Sequence, residues 1–229
     1  MNRSEFINEF KNLQNCALPK TSSLEKNQIC VAIASLLNET MALDEILQVY
    51  SGSASKNYLS SIQSIHMQYL YCILTNNWFG MKSLYRINSE LLLKLTLLVS
   101  DSSKSPVPIS KITFRFLKEE LARVKLNSNQ RRMIGKMENY FSKYSDIIHD
   151  KSTHDIQSIS YLSAQISNVF LFSQLDMDII REFNKYFYVV LFPLFNVNFY
   201  RLGSIERTRL KESVKIDKYD LIKNEFLNF

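Results

Sequence analysis

The sequence predicts an all-α protein, an antiparallel helical bundle with a central helical hairpin and peripheral helices. Three observations support this prediction. The chain contains only four Gly and four Pro among its 229 residues, whereas sheet-rich folds need many tight turns. Apolar residues recur at helical spacing along most of the sequence. Hydrophobic residues make up 46% of the chain and aromatic residues 12%, which is enough apolar material for a sizeable core.

The first two helices are predicted on either side of a polar break. Ser4 is suited to cap a helix N-terminus, and an apolar stripe of Phe6, Phe10 and Leu13 follows it. The segment 18–23 ends this helix, and a second one is expected from about residue 29 to residue 47. Both helices carry their apolar residues on one face, so we expect them to pack on a common core.

The next two helices are predicted to form the central hairpin. A loop at 51–55 precedes a helix from about residue 59 to residue 75, and another helix runs from Met81 to about Val99. The connector at 76–80 is short, and short connectors place consecutive helices antiparallel to each other. We therefore expect these two helices at the centre of the bundle.

A polar, Pro-containing linker at 101–108 is expected to separate the hairpin from the second half of the chain. Ser110 is predicted to cap a helix over 112–124, and a further helix starts at about 127–129 and ends near His149. Two more helices are expected at about 156–174 and 177–200. Residues 1–203 are thus predicted to form a single helical-bundle domain, and residues 204–229 a charged peripheral segment.

The most apolar stretch, 186–199, is too short to span a membrane, because a spanning helix needs about 20 apolar residues. It also contains Pro193 and two Asn. A buried core helix or a subunit interface is expected here, with membrane contact as the alternative. The N-terminus lacks the apolar core of a signal peptide, and the three Cys show no C-x-x-C spacing. We therefore expect a cytoplasmic protein with no membrane span.

The positive charge of the chain is concentrated in its middle. Residues 104–151 carry 11 Lys/Arg against 5 Asp/Glu, whereas the two flanking segments are balanced, so the net charge of +6 comes from this segment. A basic strip would attract nucleic acid and make its binding depend on salt. The alternative is a solvated helix face with interleaved acids. The candidate nucleic-acid contacts are Arg115, Arg123, Arg131, Arg132 and Lys136.

Several classes of chemistry are excluded by the motifs. The glycines stand alone at 52, 80, 135 and 203, which rules out a Gly-rich phosphate loop. The sequence has no H-E-x-x-H and no G-x-S-x-G, and no Cys has a His close to it in sequence. His149 and His154 are five residues apart, a spacing that does not place them side by side on a helix. We therefore expect neither a metal nor a cofactor.

Two groups of residues remain as candidates for catalysis. Arg86 and Glu90 lie one turn apart within a strongly apolar helix, so they are expected to form a partly buried polar pair. His149 ends an apolar-striped helix and can act as a general acid or base near neutral pH, with Lys143 supplying positive charge. The alternative for His149 is an interaction with the carbonyl groups at the helix C-terminus. Tyr140, Phe141 and Tyr144 on the same helix are candidates for stacking on RNA bases, with core packing as the alternative.

Both groups resemble segments of the HEPN-like superfamily of prokaryotic defence and toxin-type proteins. The run 71–95, YCILTNNWFGMKSLYRINSELLLKL, is similar to the HEPN helix-turn-helix, with an Arg and a Glu one turn apart. The segment YSDIIH, 144–149, resembles the Tyr-x-x-x-x-His segment of the same group. Together the two segments cover about 80 residues. Where catalytic members carry an Arg ahead of the His, this chain has Lys143, which lacks the bidentate fork of Arg.

The resemblance implies a helical bundle, commonly a homodimer, that belongs to a defence or toxin-antitoxin system. In catalytic members the Arg and His residues form a metal-independent ribonuclease site at the subunit interface. The implied site would contain His149 as general acid or base, Lys143 or Arg86 as the phosphate-facing cation, Glu90 to orient Arg86, and Tyr144 as a hydrogen-bonding neighbour. The alternative function is a non-catalytic binding module, an immunity or regulatory subunit that contacts a protein partner such as an antitoxin, or nucleic acid.

Overall fold

The computed structural model describes residues 3–17, 24–100, 106–148, 171–214, 219–220 and 222–223. These residues form helices and the loops between them, with no strand among them, which confirms the predicted all-α class. The α-helices, numbered here in chain order, are α1 (Arg3–Ala17), α2 (Leu24–Tyr50), α3 (Ser53–Leu74), α4 (Trp78–Ser100), α5 (Pro106–Lys111), α6 (Phe114–Arg123), α7 (Ser128–Ile148), α8 (Gln174–Tyr186) and α9 (Ser204–Ser213).

The central hairpin is formed by α3 and α4, as predicted. Asn76 lies in the connector with a φ of 53°, in the left-handed region that Asn tolerates better than most residues. The Asn77 N–H donates to the Cys72 carbonyl at 2.7 Å, which closes the end of α3. Across the hairpin, the Tyr69 hydroxyl donates to the Leu84 carbonyl at 3.3 Å. The short connector therefore brings the C-terminal part of α3 against the N-terminal part of α4.

The centre of the bundle is α4, which packs mainly against α7 and α3. Most of its Leu residues are buried, and so are polar side chains of the same helix, including Lys82, Asn88 and Lys94. Burying an ionised side chain is costly unless the charge is paired and hydrogen-bonded. The polar groups of α4 are therefore the first place to search for a functional site.

Helix α8 packs against α2 and continues into a π-helical turn, Phe187–Leu191, before a last helical turn at Phe192–Leu194. The aromatic residues at the start of the π-helical turn are buried in the core. This burial agrees with the core-helix interpretation of the apolar stretch 186–199, although the helix ends at Leu194 and a 3-10 turn, Phe199–Arg201, follows. Among the described residues, no helix has the length and apolar character needed to cross a bilayer.

Several predicted boundaries were wrong. Ser110 does not cap a helix but lies within α5, and Thr113 is the residue that precedes α6. Pro106 begins α5, a position that Pro tolerates because the first N–H groups of a helix have no partner within it. Helix α3 begins at Ser53, so the loop before it is shorter than expected. The predicted helix at 156–174 falls outside the described residues except for its end, where 171–173 are non-helical.

Candidate functional site

Arg86 joins the central helix α4 to α7. Its Nε donates to the Ser145 hydroxyl at 2.9 Å, and its guanidinium carbon lies 4.7 Å from the centroid of the Phe141 ring. Phe141 and Ser145 are one turn apart, so a single face of α7 holds the guanidinium by a hydrogen bond and a cation–π contact. About a quarter of the Arg86 side chain, 27%, remains accessible to solvent. Arg86 is therefore a cation fixed in place and open on one side.

Glu90 connects Arg86 to a second cation. Its Oε2 lies 3.9 Å from Arg86 Nη2, and its Oε1 accepts a hydrogen bond from Lys94 Nζ at 2.8 Å. The Lys94 ammonium also donates to the Ser110 carbonyl at 2.9 Å. The closer partner of Glu90 is therefore Lys94. Ser145 and Phe141 hold Arg86 more directly than the carboxylate that was predicted to orient it.

Lys143 and Tyr144 occupy other sides of α7. Lys143 is exposed, and its Nζ lies 5.6 Å from the centroid of the Tyr144 ring. It is two residues from Ser145, a spacing that places the two side chains on nearly opposite faces of a helix. The structure thus brings Arg86 to α7 but does not bring Lys143 to the same face. Tyr144 is only 1% exposed, which makes it a core residue. His149, the remaining predicted catalytic residue, lies outside the described residues.

A buried ion pair that the sequence analysis missed lies beneath Tyr144. Lys82 on α4 donates to Asp176 Oδ1 on α8, and both side chains are almost completely buried. The Lys82 ammonium lies 5.0 Å from the ring centroids of both Trp78 and Tyr85, and 5.7 Å from that of Tyr144. The ammonium is therefore enclosed by one carboxylate and three aromatic rings, which compensate in part for its lost hydration.

Asp176 is hydrogen-bonded through both of its carboxylate oxygens. Oδ1 accepts from Lys82 and from the Tyr85 hydroxyl at 3.0 Å, and Oδ2 accepts from the Ser173 N–H at 2.9 Å and its hydroxyl at 3.1 Å. Asp176 lies in the first turn of α8, where a negative charge is favoured by the helix dipole. The carboxylate therefore fixes the start of α8 to the N-terminal part of α4.

The electrostatics of Lys82 follow from this environment. Burial lowers the pKa of its ammonium below the ordinary value, and the neighbouring Asp176 charge opposes that shift. The positive charge of Lys143 acts in the same direction as burial. Burial, together with Asp176, raises the pKa of the Tyr85 phenol well above its ordinary value. Tyr85 therefore stays protonated and donates its hydrogen to Asp176.

The basic residues of the middle segment do not form one continuous face. Arg131 donates from its guanidinium to the carbonyls of Leu121 at 2.7 Å and Ala122 at 3.0 Å, and also to that of Val124. Lys136, on another side of α7, pairs with Glu182 of α8 at 2.7 Å. Arg131 is therefore directed to the end of α6, where it satisfies carbonyls that the helix leaves without partners.

The other basic candidates differ in how they are paired. Arg115 lies 3.3 Å from Glu119, and Arg123 lies 2.6 Å from Glu120, both within α6 and both highly exposed. Exposed pairs of this kind contribute little to stability, so these side chains remain free to exchange partners. Arg132 is exposed on α7. Its spacing of four and eleven residues to Lys136 and Lys143 places these three cations on one face of the helix.

Two sequence signals could have located the missed residues. Ser173 and Asp176 have the spacing of a capping box, which predicts a helix start at 174. Lys82 and Lys94 interrupt the apolar pattern of α4, the same signal that identified Arg86.

Among the described residues, no group of three His, Cys, Asp or Glu is arranged to hold a metal ion. Comparisons with protein-family models, with curated proteins and with solved structures found no significant match.

Proposed function

We propose that this chain is a HEPN-like protein that cleaves RNA without a metal ion, with Arg86 as the cation that contacts the scissile phosphate. The observation that carries this proposal is the fixed position of Arg86, which is held by Ser145 and Phe141 while 27% of its side chain is exposed. A preorganised guanidinium can stabilise the charge that develops during phosphoryl transfer, because it need not be reoriented during the reaction.

His149 supplies the acid-base chemistry in this proposal. It removes the proton of a ribose 2′-hydroxyl, whose oxygen then forms a bond to phosphorus while the bond to the 5′-oxygen breaks and the leaving oxygen takes up a proton. Arg86 neutralises the additional negative charge on the phosphate oxygens. His149 follows Ser145 by four residues in sequence, the spacing at which two residues share one helix face. This sequence spacing is the reason for pairing His149 with Arg86 in the proposal, and His149 itself lies outside the described residues.

The remaining candidates have supporting roles. Glu90 limits the movement of Arg86, and Tyr144 covers the buried Lys82 ammonium and does not reach RNA. Arg132 and Lys143 lie on a different face of α7 from the one that Arg86 contacts, and their charge raises the local concentration of RNA in a way that weakens with salt. From the resemblance we also propose a cytoplasmic homodimer that belongs to a defence or toxin-antitoxin system, in which an antitoxin or another subunit controls the activity.

Incubation of the purified protein with mixed RNA in EDTA tests the proposal. We expect cleavage that leaves 2′,3′-cyclic phosphate ends, and we expect its loss in a His149→Ala variant. Cleavage that persists in this variant, or that needs a divalent cation, would contradict the assignment. A mock preparation from cells that do not express the protein, purified in the same way, controls for contaminating ribonuclease.

The second candidate function is a non-catalytic binding module. It is favoured by the Lys at position 143, which stands where catalytic HEPN proteins carry an Arg, and by the exposed cations of α6 and α7. In this case RNA would remain intact in EDTA, while Arg132→Gln would weaken binding of RNA or of an acidic protein partner. Binding titrations at two salt concentrations, run beside the cleavage assay, distinguish the two functions.

A further inference from the structure

A cavity of about 360 Å³ lies between α3, α4 and α5, away from the α4–α7 contact. It is lined by Ala54, Tyr58 and Ser61 of α3, by Leu91 and Lys94 of α4, and by Ser110 of α5. Its volume is at the lower end of the range of small-molecule sites, about 300–1,000 Å³. The cavity combines an apolar wall with one buried cation, so its lining can select a ligand by both properties.

Two polar groups of this lining have unused hydrogen-bonding capacity. The Tyr58 residue is 9% exposed, and its buried hydroxyl has no hydrogen-bond partner among the described residues. Lys94 is 8% exposed and uses two hydrogens, one for Glu90 and one for the Ser110 carbonyl, whereas an ammonium has three to donate. A buried donor without an acceptor is destabilising by about 1–3 kcal/mol. The ammonium only donates and the phenol hydroxyl can donate as well as accept, so a single acceptor satisfies both groups at once.

The net charge near the cavity and its apolar lining indicate which kind of acceptor fits. Arg86, Lys94 and Glu90 form a chain of contacts with one positive charge in excess. This excess suits a monoanion better than a dianion such as phosphate, which would keep an unbalanced charge beside apolar surface. The side chains of Ala54 and Leu91 and the ring of Tyr58 provide that apolar surface. The phenol pKa of Tyr58 is raised by burial and by Glu90, so its hydroxyl remains a donor.

We propose that this cavity binds a small carboxylate with an apolar body, whose carboxylate accepts hydrogen bonds from Lys94 and Tyr58. A small rotation of the Tyr58 ring brings its hydroxyl to the ligand, an adjustment of the kind that side chains commonly make on binding. The apolar body lies along Leu91 and Ala54. The site does not rest on the proposed ribonuclease function. Lys94 is linked to Arg86 only through Glu90, and Tyr58→Phe tests the cavity without changing that chain of contacts.

Isothermal titration calorimetry on the full chain tests the proposal, with hexanoate and benzoate as probes and their amides and inorganic phosphate as controls. We expect saturable binding of one carboxylate per chain, at least tenfold weaker binding of the amides, and weaker binding of phosphate. Tyr58→Phe should weaken carboxylate binding about tenfold, and Lys94→Gln should weaken it further. Tyr71→Phe is the matched control, because Tyr71 is exposed on the same helix and does not line the cavity.

Thermal unfolding checks that the variants are folded. Tyr58→Phe should melt no lower than the wild type without ligand, because the hydroxyl it removes has no hydrogen-bond partner among the described residues. Hexanoate should raise the melting temperature of the wild type and of Tyr71→Phe, and raise it less in Tyr58→Phe. The proposal is overturned by a lack of carboxylate binding, by equal affinity for hexanoate and hexanamide, by phosphate binding more tightly, or by unchanged affinity in Tyr58→Phe.

Discussion

Lys82 and Asp176 form a buried ion pair that connects α4 to the first turn of α8, although the two residues are 94 positions apart in sequence. Each partner is satisfied by further contacts, the ammonium by aromatic rings and the carboxylate by Tyr85 and Ser173. Because neither charge has access to water, removing one partner leaves the other buried without compensation. This pair therefore links the first turn of α8 to the N-terminal part of α4.

The first prediction concerns the stability of this contact. Asp176→Asn should lower the free energy of unfolding by about 3–5 kcal/mol, because the Lys82 charge loses its partner. Asp178→Asn is the matched control, two residues away in an exposed pair with Arg181, and should change stability by less than about 1 kcal/mol. Urea unfolding followed by circular dichroism measures both values. Equal losses of unfolding free energy in the two variants would show that the buried pair stabilises the protein no more than the exposed one.

The second prediction concerns two buried groups whose pKa shifts oppose each other. Burial raises the pKa of Asp44 from 3.8 to about 7, even though Gln48 donates a hydrogen bond to its carboxylate. Burial lowers the pKa of His66 from 6.5 to about 3. Between about pH 4 and 6.5 the folded protein holds the Asp44 proton that the unfolded chain releases, and the unfolded chain gains the His66 proton that the folded protein excludes.

The signs of the two contributions are therefore opposite. The contribution of Asp44 to the free energy of unfolding falls as the pH rises from 3.8 towards 7. The contribution of His66 rises as the pH rises from 3 to 6.5. Each contribution is on the order of a few kcal/mol, since one pKa unit corresponds to about 1.4 kcal/mol. Asp44→Asn should thus become more stable as the pH rises from 4 to 6.5, and His66→Leu less stable. Urea unfolding at four pH values measures these slopes, and parallel profiles for the two variants would contradict the prediction.

The third prediction separates two adjacent arginines on α7. Arg131 donates to carbonyls at the end of α6, whereas Arg132 is exposed. Arg131→Gln should lower the free energy of unfolding by roughly 1–3 kcal/mol, because hydrogen bonds from a charged donor are lost. Arg132→Gln should leave stability unchanged within about 0.5 kcal/mol and weaken RNA binding, with a smaller salt dependence. If Arg131→Gln instead weakened RNA binding and Arg132→Gln lowered the free energy of unfolding, Arg131 would be the RNA contact.

The helices were largely predictable from the sequence, because their apolar periodicity and short connectors are local features. The hairpin of α3 and α4 was found from the spacing of Leu residues and from a connector of a few residues. The predicted helix at 177–200 starts three residues after the observed start of α8 at Gln174, because the apolar pattern alone does not locate the capping box of Ser173 and Asp176. The partner of Lys82 could not be predicted, since ion pairs between residues so distant in sequence depend on the packing of the whole bundle.

The candidate site was predictable in part for the same reason. Arg86 and Glu90 were identified because charges within an apolar helix need partners nearby. Ser145 and Phe141 were not identified as those partners, because the rotation of α7 against α4 is not encoded in either helix alone. The excess of Lys and Arg in residues 104–151 identified the basic residues, but only the structure shows which partner each side chain contacts. Arg131 is directed to α6 and Lys136 to α8.

The measurement that most directly tests the central claim is the single-turnover rate of RNA cleavage in EDTA for Arg86→Gln, compared with Arg123→Gln. Both substitutions remove one positive charge, but Arg123 is exposed on α6 and paired with Glu120. We predict that Arg86→Gln lowers the cleavage rate at saturating RNA by 100-fold or more. This change corresponds to a loss of roughly 3 kcal/mol of transition-state stabilisation. Arg123→Gln should change that rate by less than about threefold. Equal rates for the two variants, with the wild type active, would contradict the placement of Arg86 at the scissile phosphate.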